Sequence, residues 1–186
     1  VHEQDGIVYF RTHYYGGIKK YQWTCIPLAL IGVVYTKDGK KVDINIGLKD
    51  DDPIFYVSDL LIHMAQDQMK KTLAEGITGE QLQAIAGTNA EEDLKPKEVF
   101  MKMLKDTYGI EEEDFAAAEL ELVPATKSRD VGFDRSLIAS YGQDDRVCSY
   151  ANLEAILQAK PGVKTQAALL TDKEEIGSYG NTGMES

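Results

Sequence analysis

Cysteine is scarce in this chain of 186 residues, which contains only Cys25 and Cys148. Two cysteines so far apart in the sequence provide neither a disulfide framework nor the closely spaced pairs of a zinc knuckle. Proteins that do without disulfides are typical of reducing compartments. The sequence therefore predicts a cytoplasmic protein.

Positive charge and long apolar runs are also lacking. The chain has 20 Lys and Arg residues against 31 Asp and Glu residues, and its formal net charge is -11 at pH 7. Nucleic acids and anionic membranes both attract cationic surfaces, so this charge disfavours either as a partner. No apolar run approaches the roughly 20 residues that a transmembrane helix needs. With 43% hydrophobic and 27% charged residues, the composition is that of an ordinary globular protein.

Histidine is the third scarcity, and it limits metal chemistry. The chain has only His2, His13 and His63, and none of them is adjacent to a suitable carboxylate. The motifs H-E-x-x-H, G-x-G-x-x-G and G-x-S-x-G are absent, as is the Walker phosphate loop. Because catalytic zinc sites usually rely on histidine, residue spacing alone does not predict a complete zinc site.

A β-hairpin is the clearest element in what the sequence does contain. Residues 26–35 are apolar and rich in β-branched side chains, and residues 42–46 alternate between apolar and polar. Between them lie Asp38 and Gly39, and an Asp-Gly pair readily adopts the positive φ of a hairpin turn. A strand over residues 6–10 precedes this hairpin.

Helical patterns follow the hairpin. Ser58 suits the cap of a helix over residues 59–74, and Pro96 suits the first turn of a helix over residues 96–108. Residues 81–86 fit either a short strand or a helical turn. The predicted apolar stripe of the first helix consists of Leu60, Leu61, Met64 and Met69.

In the last third of the chain, the pattern of apolar and polar residues predicts a strand over residues 115–123, a helix over residues 147–158 and a buried strand over residues 165–170. The residues expected to face inward from the helix are Leu153, Ile156 and Leu157. A loop precedes the helix and another follows the last strand, and both carry acidic pairs. Open α/β enzymes present ligand groups on such loops.

The acidic pairs allow two interpretations. Asp144 and Asp145 precede a helix, where carboxylates commonly act as N-caps, and Glu174 and Glu175 suit a solvated loop. Paired carboxylates can also divide metal binding and general-base catalysis between them. Residues 111–114, a third acidic run, are expected to be solvated surface.

Three segments resemble one family. They are DDRVCSY at 144–150, LLTDKEEIGS at 169–178, and THYYGGIKKYQW at 12–23, which is followed by PLAL at 27–30. Together they are similar to the aspartyl aminopeptidase or aminopeptidase I family, metallopeptidase family 18, in its bacterial branch. The resemblance implies a dinuclear zinc metalloaminopeptidase that hydrolyses N-terminal residues from peptides by metal-activated water. The ligand set is one that zinc, manganese and cobalt share in solution.

The family also implies an architecture. Its α/β catalytic domain is interrupted by a β-rich α+β dimerisation insert, and dimers build a larger homo-oligomeric shell. Here residues 1–20 would be catalytic, residues 21–114 would form the insert, and residues 115–186 would return to the catalytic domain. Since the chain starts at Val1 without methionine, we expect it to be an internal segment of a longer protein.

The resemblance assigns roles residue by residue. Asp144 matches the carboxylate that bridges the two zinc ions, Glu175 a terminal metal ligand and Glu174 the general base. The bridging aspartate is followed by a cis peptide in related enzymes, so a cis Asp144–Asp145 bond is expected. His63 matches, more loosely, a histidine that reaches substrate in a neighbouring subunit.

The family's remaining zinc ligands, a histidine upstream and an aspartate and a histidine downstream, have no counterpart here. The isolated chain is therefore expected to be inactive. Two alternatives remain: the chain acts only as an oligomerisation module, or it binds carbohydrate or peptide through exposed aromatic residues. The aromatic residues concerned are Tyr14, Tyr15, Tyr21 and Trp23, for which packing around the hairpin is the competing interpretation.

Overall fold

A computed structural model of the chain describes residues 1–14, 16–91, 93–178, 180 and 182–185. Contacts within the chain divide it into two units, each of which is described by itself. The first comprises Val1–Tyr14 and Ile18–Thr126, and the second comprises Tyr15–Gly17 and Lys127–Ser186.

The first unit is built on a seven-stranded sheet in which the paired strands are antiparallel. The strands are β1 (His2–Gln4), β2 (Ile7–Arg11), β3 (Pro27–Tyr35), β4 (Lys41–Ile46), β5 (Phe55–Tyr56), β6 (Gln83–Gly87) and β7 (Ala118–Pro124). Their order in the sheet is β1-β2-β6-β5-β3-β4, and β7 pairs with β3.

The predicted hairpin is confirmed as β3 and β4, whose register runs from Leu30 opposite Ile46 to Tyr35 opposite Lys41. The turn is closed by a backbone bond from the Thr36 N–H to the Lys40 carbonyl at 2.9 Å. Gly39 has φ of +83°, a conformation that glycine adopts without a steric cost.

Strand β7 confirms the extended pattern predicted for residues 115–123, although it begins at Ala118. Glu112–Ala117 forms a 3₁₀ helix before it. The residues predicted as strand or helical turn contain both, because a 3₁₀ helix over Gly79–Gln81 leads into β6.

The helix predicted over residues 96–108 is confirmed as α2 (Pro96–Tyr108), which follows the short α1 (Leu73–Gly76). Gly109 ends α2 in the left-handed conformation, and its N–H bonds to carbonyls of the last turn. The buried face of α2 consists of Phe100 and Leu104, and the Phe100 ring meets Phe10 edge to face at 5.7 Å.

Two clusters of buried apolar side chains form the core of the first unit. The smaller cluster is made by Val8, Phe100 and Leu104 between α2 and the sheet. The larger cluster consists of Leu28, Leu30, Val34, Ile44, Phe55, Val57, Ile77, Leu82, Ala84 and Ile110.

The helix predicted over residues 59–74 is wrong. Residues 59–72 contain turns at 62–64 and 66–67, a 3₁₀ helix at Gln68–Lys70 and irregular backbone, and α1 begins only at Leu73. The predicted apolar stripe is exposed, with Leu61 and Met64 each at 71%. The described residues therefore do not supply the packing that an amphipathic helix needs. The Asp59 carboxylate instead accepts the N–H of Leu60 at 2.8 Å, a local bond that competes with helix.

The second unit contains a two-stranded hairpin and one helix. Strand β8 (Arg129–Val131) pairs antiparallel with β9 (Leu137–Ala139), and α3 (Gln143–Gln158) follows. Among the described residues of this unit only Gly183 is buried.

Two predictions for the second unit are wrong. Leu153 and Leu157 on α3 are exposed rather than inward-facing, and Ile156 is only half-buried. Residues 165–170 form no strand, and Leu169 is 72% exposed. A strand exists only in a ladder with a neighbour, and no described segment pairs with this one.

The mixed α/β class predicted from the sequence is confirmed at this level. The interrupted catalytic domain and the dimerisation insert, with boundaries at residues 20 and 114, stay predictions. Across the described part of the chain, no helix has the length and apolarity to cross a bilayer.

Candidate functional site

The first acidic pair lies at the start of α3. Gly142 is the N-cap, in the left-handed conformation at φ of +79°, and no side chain caps the helix. Asp144 and Asp145 have non-helical backbone angles, and the peptide bond between them is cis, as the resemblance predicted. Among the described residues neither carboxylate makes a capping hydrogen bond, so the N-cap interpretation of this pair is wrong. Both aspartates do lie in the first turn of α3, where the helix dipole favours acidic residues.

Arg146 follows this pair and bonds back to the residues before it. Its side-chain Nη1 donates to the Tyr141 carbonyl at 2.8 Å, and its backbone N–H donates to the Gly142 carbonyl. A Cβ on Gly142 would lie 3.3 Å from the guanidinium carbon, so glycine leaves room for the arginine. The Asp144 carboxylate itself stays exposed to solvent.

The second acidic pair lies on a short turn. Glu174 and Glu175 begin a 3₁₀ helix over Glu174–Ile176, flanked by Lys173 and Gly177 in left-handed conformations. Both glutamates are exposed. Among the described residues, neither carboxylate forms a hydrogen bond or an ion pair.

Tertiary structure brings one further motif to this turn. Gly16, from the segment THYYGG, belongs to the second unit together with the acidic loops. A Cβ on Gly16 would lie 3.4 Å from the Cβ of Glu175 and 3.7 Å from Ile176. Two of the segments that carry the family resemblance therefore meet in space.

The donor chemistry of Asp144 and Glu175 suits zinc, which accepts carboxylate oxygens. Within the ranges that the structure describes, however, no three His, Cys, Asp or Glu residues come together as a group that could hold a metal ion. These residues therefore do not by themselves make a complete zinc site.

His63 lies in the first unit, in a turn rather than on the predicted helix, and is exposed. The residues on either side, Ile62 and Met64, are 65% and 71% exposed. Its contact with substrate in a neighbouring subunit stays a prediction.

The aromatic residues near the start of the chain divide between the two interpretations. Trp23 packs against the larger core cluster, as expected of a structural residue. Tyr14 is 42% exposed, with the His13 ring stacked at 6.2 Å and the Lys20 ammonium 5.8 Å from its centroid. Tyr21 is also partly exposed, whereas Tyr15 lies outside the described residues.

Sequence reasoning missed an open groove of about 1210 Å³ in the first unit. The residues that line it come from separate stretches of the chain, so no local sequence motif predicts it. The charged and aromatic residues that line it include Arg11, His13, Tyr14, Lys20, Lys71 and Glu80.

Comparison with known proteins gives a consistent result. A family model described as aminopeptidase I zinc metalloprotease (M18) matches residues 1–186. A probable M18 family aminopeptidase 1 of Clostridium acetobutylicum is 50% identical over 190 residues, covering 100% of this chain and 41% of that protein. A protein of the same name from Thermotoga maritima is 49% identical over 187 residues, covering 99% of this chain and 41% of that protein.

Solved structures agree with these relatives. The crystal structure of an M18 family aminopeptidase from Thermotoga maritima matches with a TM-score of 0.88 at 49% identity, covering 97% of this chain and 40% of that one. Aminopeptidase I from Clostridium acetobutylicum matches with a TM-score of 0.88 at 47% identity, covering 98% and 41%. The chain thus spans about 41% of the length of the curated relatives it matches.

Proposed function

Because the chain belongs to the aminopeptidase I zinc metalloprotease (M18) family, we propose that the protein carrying it is a zinc aminopeptidase. In this proposal it removes N-terminal residues from peptides in the cytoplasm. The observation that carries the proposal is the turn at Glu174 and Glu175, which presents two adjacent carboxylates with no partner among the described residues. The relatives' own names supply the reaction class.

We assign the carboxylates separate roles in the intact protein. Asp144 and Glu175 would hold zinc through their carboxylate oxygens, in a site that would take two ions. When bound, zinc polarises the scissile carbonyl and lowers the pKa of water. The remaining ligands would come from parts of the protein outside this chain, which spans 41% of its relatives' length.

Glu174 is assigned to proton transfer. Its carboxylate would accept a proton from the attacking water as the water oxygen bonds to the carbonyl carbon of the first peptide bond. Protonated Glu174 would then donate that proton to the leaving amine as the C–N bond breaks. The exposed position of Glu174 leaves its carboxylate within reach of water and substrate.

The test uses the full-length protein and a panel of aminoacyl p-nitroanilides. We expect hydrolysis that a chelator removes and zinc restores, and a loss in kcat of at least 100-fold in Glu174→Gln, since general-base catalysis contributes about 10²–10⁴-fold. Glu154→Gln on α3 is the matched control and should retain wild-type activity. Chelator-resistant hydrolysis, or a Glu174→Gln variant as active as wild type, would refute the assignment.

Self-association is a second proposal, and it concerns assembly rather than catalysis. The turns of the first unit expose a run of apolar side chains, with Leu61, Ile62 and Met64 each at least 65% exposed. Apolar surface of this kind is characteristic of protein interfaces. We propose that a second copy covers it as the dimer of a larger homo-oligomer. Light scattering should show a mass that falls to that of the monomer in Leu61→Asp/Met64→Asp, whereas a monomeric wild type at all concentrations would refute it.

A further inference from the structure

The loop that carries Glu174 and Glu175 is closed on itself by a pair of residues at its ends. The Asp172 N–H donates to the Thr182 carbonyl at 3.0 Å. The Thr182 hydroxyl donates to Asp172 Oδ2 at 3.1 Å. The main chains and the side chains of the two residues are therefore both joined, and we call this pair the Asp172–Thr182 clasp.

The clasp also orders the start of the turn. The second oxygen of the same carboxylate, Asp172 Oδ1, accepts the Lys173 N–H at 2.8 Å. Lys173 has φ of +66°, and its carbonyl accepts the N–H groups of Ile176 at 3.3 Å and Ser178 at 2.9 Å. One carboxylate thus links the closure of the loop to the residue that begins the Glu174–Ile176 turn.

Among the described residues, Gly16 lies beside the Cβ of Glu175, and no hydrogen bond or ion pair holds either glutamate side chain. Their carboxylates form no hydrogen bonds there, so the direction in which they leave the chain is set by the backbone of the turn. That backbone is fixed by the bonds from Gly177 N–H to the Glu174 carbonyl at 2.9 Å and by those to Lys173. Any loss of loop closure would therefore be transmitted to Glu174 and Glu175.

We infer that Asp172 and Thr182 are positioning residues, whose clasp holds Glu174 and Glu175 in the orientation needed for proton transfer and metal binding. The inference rests on the proposed function. Asp172 and Thr182 are both exposed, so their mutual bonds contribute little to global stability. A displacement of a catalytic group by about 1 Å, in contrast, lowers a rate by about 10²-fold. A positioning role therefore predicts a large kinetic effect with a small effect on melting.

The decisive comparison is Thr182→Val against Thr182→Ser in the full-length protein. Valine has the shape of threonine without its hydroxyl, whereas serine keeps the hydroxyl that bonds to Asp172. We expect Thr182→Val and Asp172→Ala to lower kcat about 10- to 100-fold, with KM within about threefold of wild type. Thr182→Ser should stay within about threefold of wild type in kcat. Thr171→Val, which changes an exposed neighbouring threonine, should leave kcat unchanged.

A second readout does not depend on turnover. Zinc release into a chromogenic chelator should show about 10- to 100-fold weaker retention in Thr182→Val, the loss typical when a group that orients a metal ligand is removed. The melting temperature of the chelator-treated protein should stay within about 3 °C of wild type, which excludes a merely structural role.

The outcomes separate this inference from the proposed function. Suppose that wild type hydrolyses the anilides and Glu174→Gln does not, but Thr182→Val keeps wild-type kcat and zinc retention. The positioning role of the Asp172–Thr182 clasp is then overturned, while the proposed function stands. Equal impairment of Thr182→Val and Thr182→Ser also overturns it, because the hydroxyl would then be irrelevant. A wild type without zinc-dependent activity overturns both.

Discussion

Among single residues, Asp114 links two segments of the chain through hydrogen bonds to its side chain. It is buried, with 5% exposure, between the hairpin turn and the 3₁₀ helix that precedes β7. Its two oxygens accept the N–H groups of Lys37 and Glu111, each at 2.8 Å. One carboxylate therefore joins two segments far apart in the sequence. The prediction that residues 111–114 are solvated surface is wrong at Asp114.

Asp114→Ala tests this bridge, because it leaves two backbone donors without an acceptor. We expect the free energy of unfolding in urea to fall by about 2–4 kcal/mol, since a hydrogen bond to a charged group contributes about 1.5–3 kcal/mol. Asp43→Ala is the control. Asp43 pairs with Lys41 at 2.8 Å but is 75% exposed, so its loss should cost less than about 1 kcal/mol. Equal losses in the two variants would contradict the bridge.

At the scale of elements, the pairing of β3 with β7 depends on one glycine. Gly32 lies opposite Leu120 and has φ of +136°. A Cβ there would lie 2.0 Å from the carbonyl oxygen of Glu119, which belongs to the backbone of β7. Strand β3 can therefore approach β7 this closely only without a side chain at position 32.

Gly32→Ala should separate the two strands locally. We expect a loss of about 3 kcal/mol in unfolding free energy, from backbone strain and from displacement of β7. Gly87→Ala in β6 is the matched control, since no atom lies within 4 Å of a Cβ there; it should change stability by less than about 1 kcal/mol. Faster amide hydrogen exchange in β7 of Gly32→Ala, but not of Gly87→Ala, would show that the loss of stability lies at the β3–β7 pairing. Similar urea midpoints for the two variants would contradict the prediction.

Prediction of elements from the sequence succeeded where local chemistry decides the conformation. The β3–β4 hairpin follows from alternation and an Asp-Gly turn, and α2 follows from Pro96 at its start and Gly109 at its end. It failed for residues 59–74 and 165–170, whose large apolar side chains are exposed. The spacing of apolar residues shows which face of a segment could be buried. It does not show whether another part of the folded protein packs against that face.

At the scale of the whole molecule, the second unit contains all three carboxylates of the proposed site. Among the described residues, however, Asp144, Glu174 and Glu175 belong to no group of three His, Cys, Asp or Glu side chains that could hold a metal ion. The family resemblance assigned their roles, and these assignments stay predictions. Spacing alone left these acidic pairs open between capping, solvated loop and metal binding.

We predict that the 186-residue chain by itself does not hydrolyse aminoacyl p-nitroanilides in the presence of zinc. Two carboxylate ligands hold a metal too weakly, since catalytic zinc sites use three protein ligands. The measurement compares the chain with the full-length protein at equal molar concentration. Zinc-dependent turnover by the chain alone, abolished by Glu174→Gln, would show that the site is complete and contradict this prediction.

The sequence by itself determined the hairpin, α2, the acidic donors and the family, because each rests on neighbouring residues or on a contiguous motif. Only the tertiary structure decided that β7 lies against β3, that Asp114 joins two distant segments, that Gly16 packs against Glu175, and that Thr182 closes the loop at Asp172. The physical reason is range. Conformational preferences act over a few residues, whereas these contacts depend on which distant surfaces meet once the chain has folded.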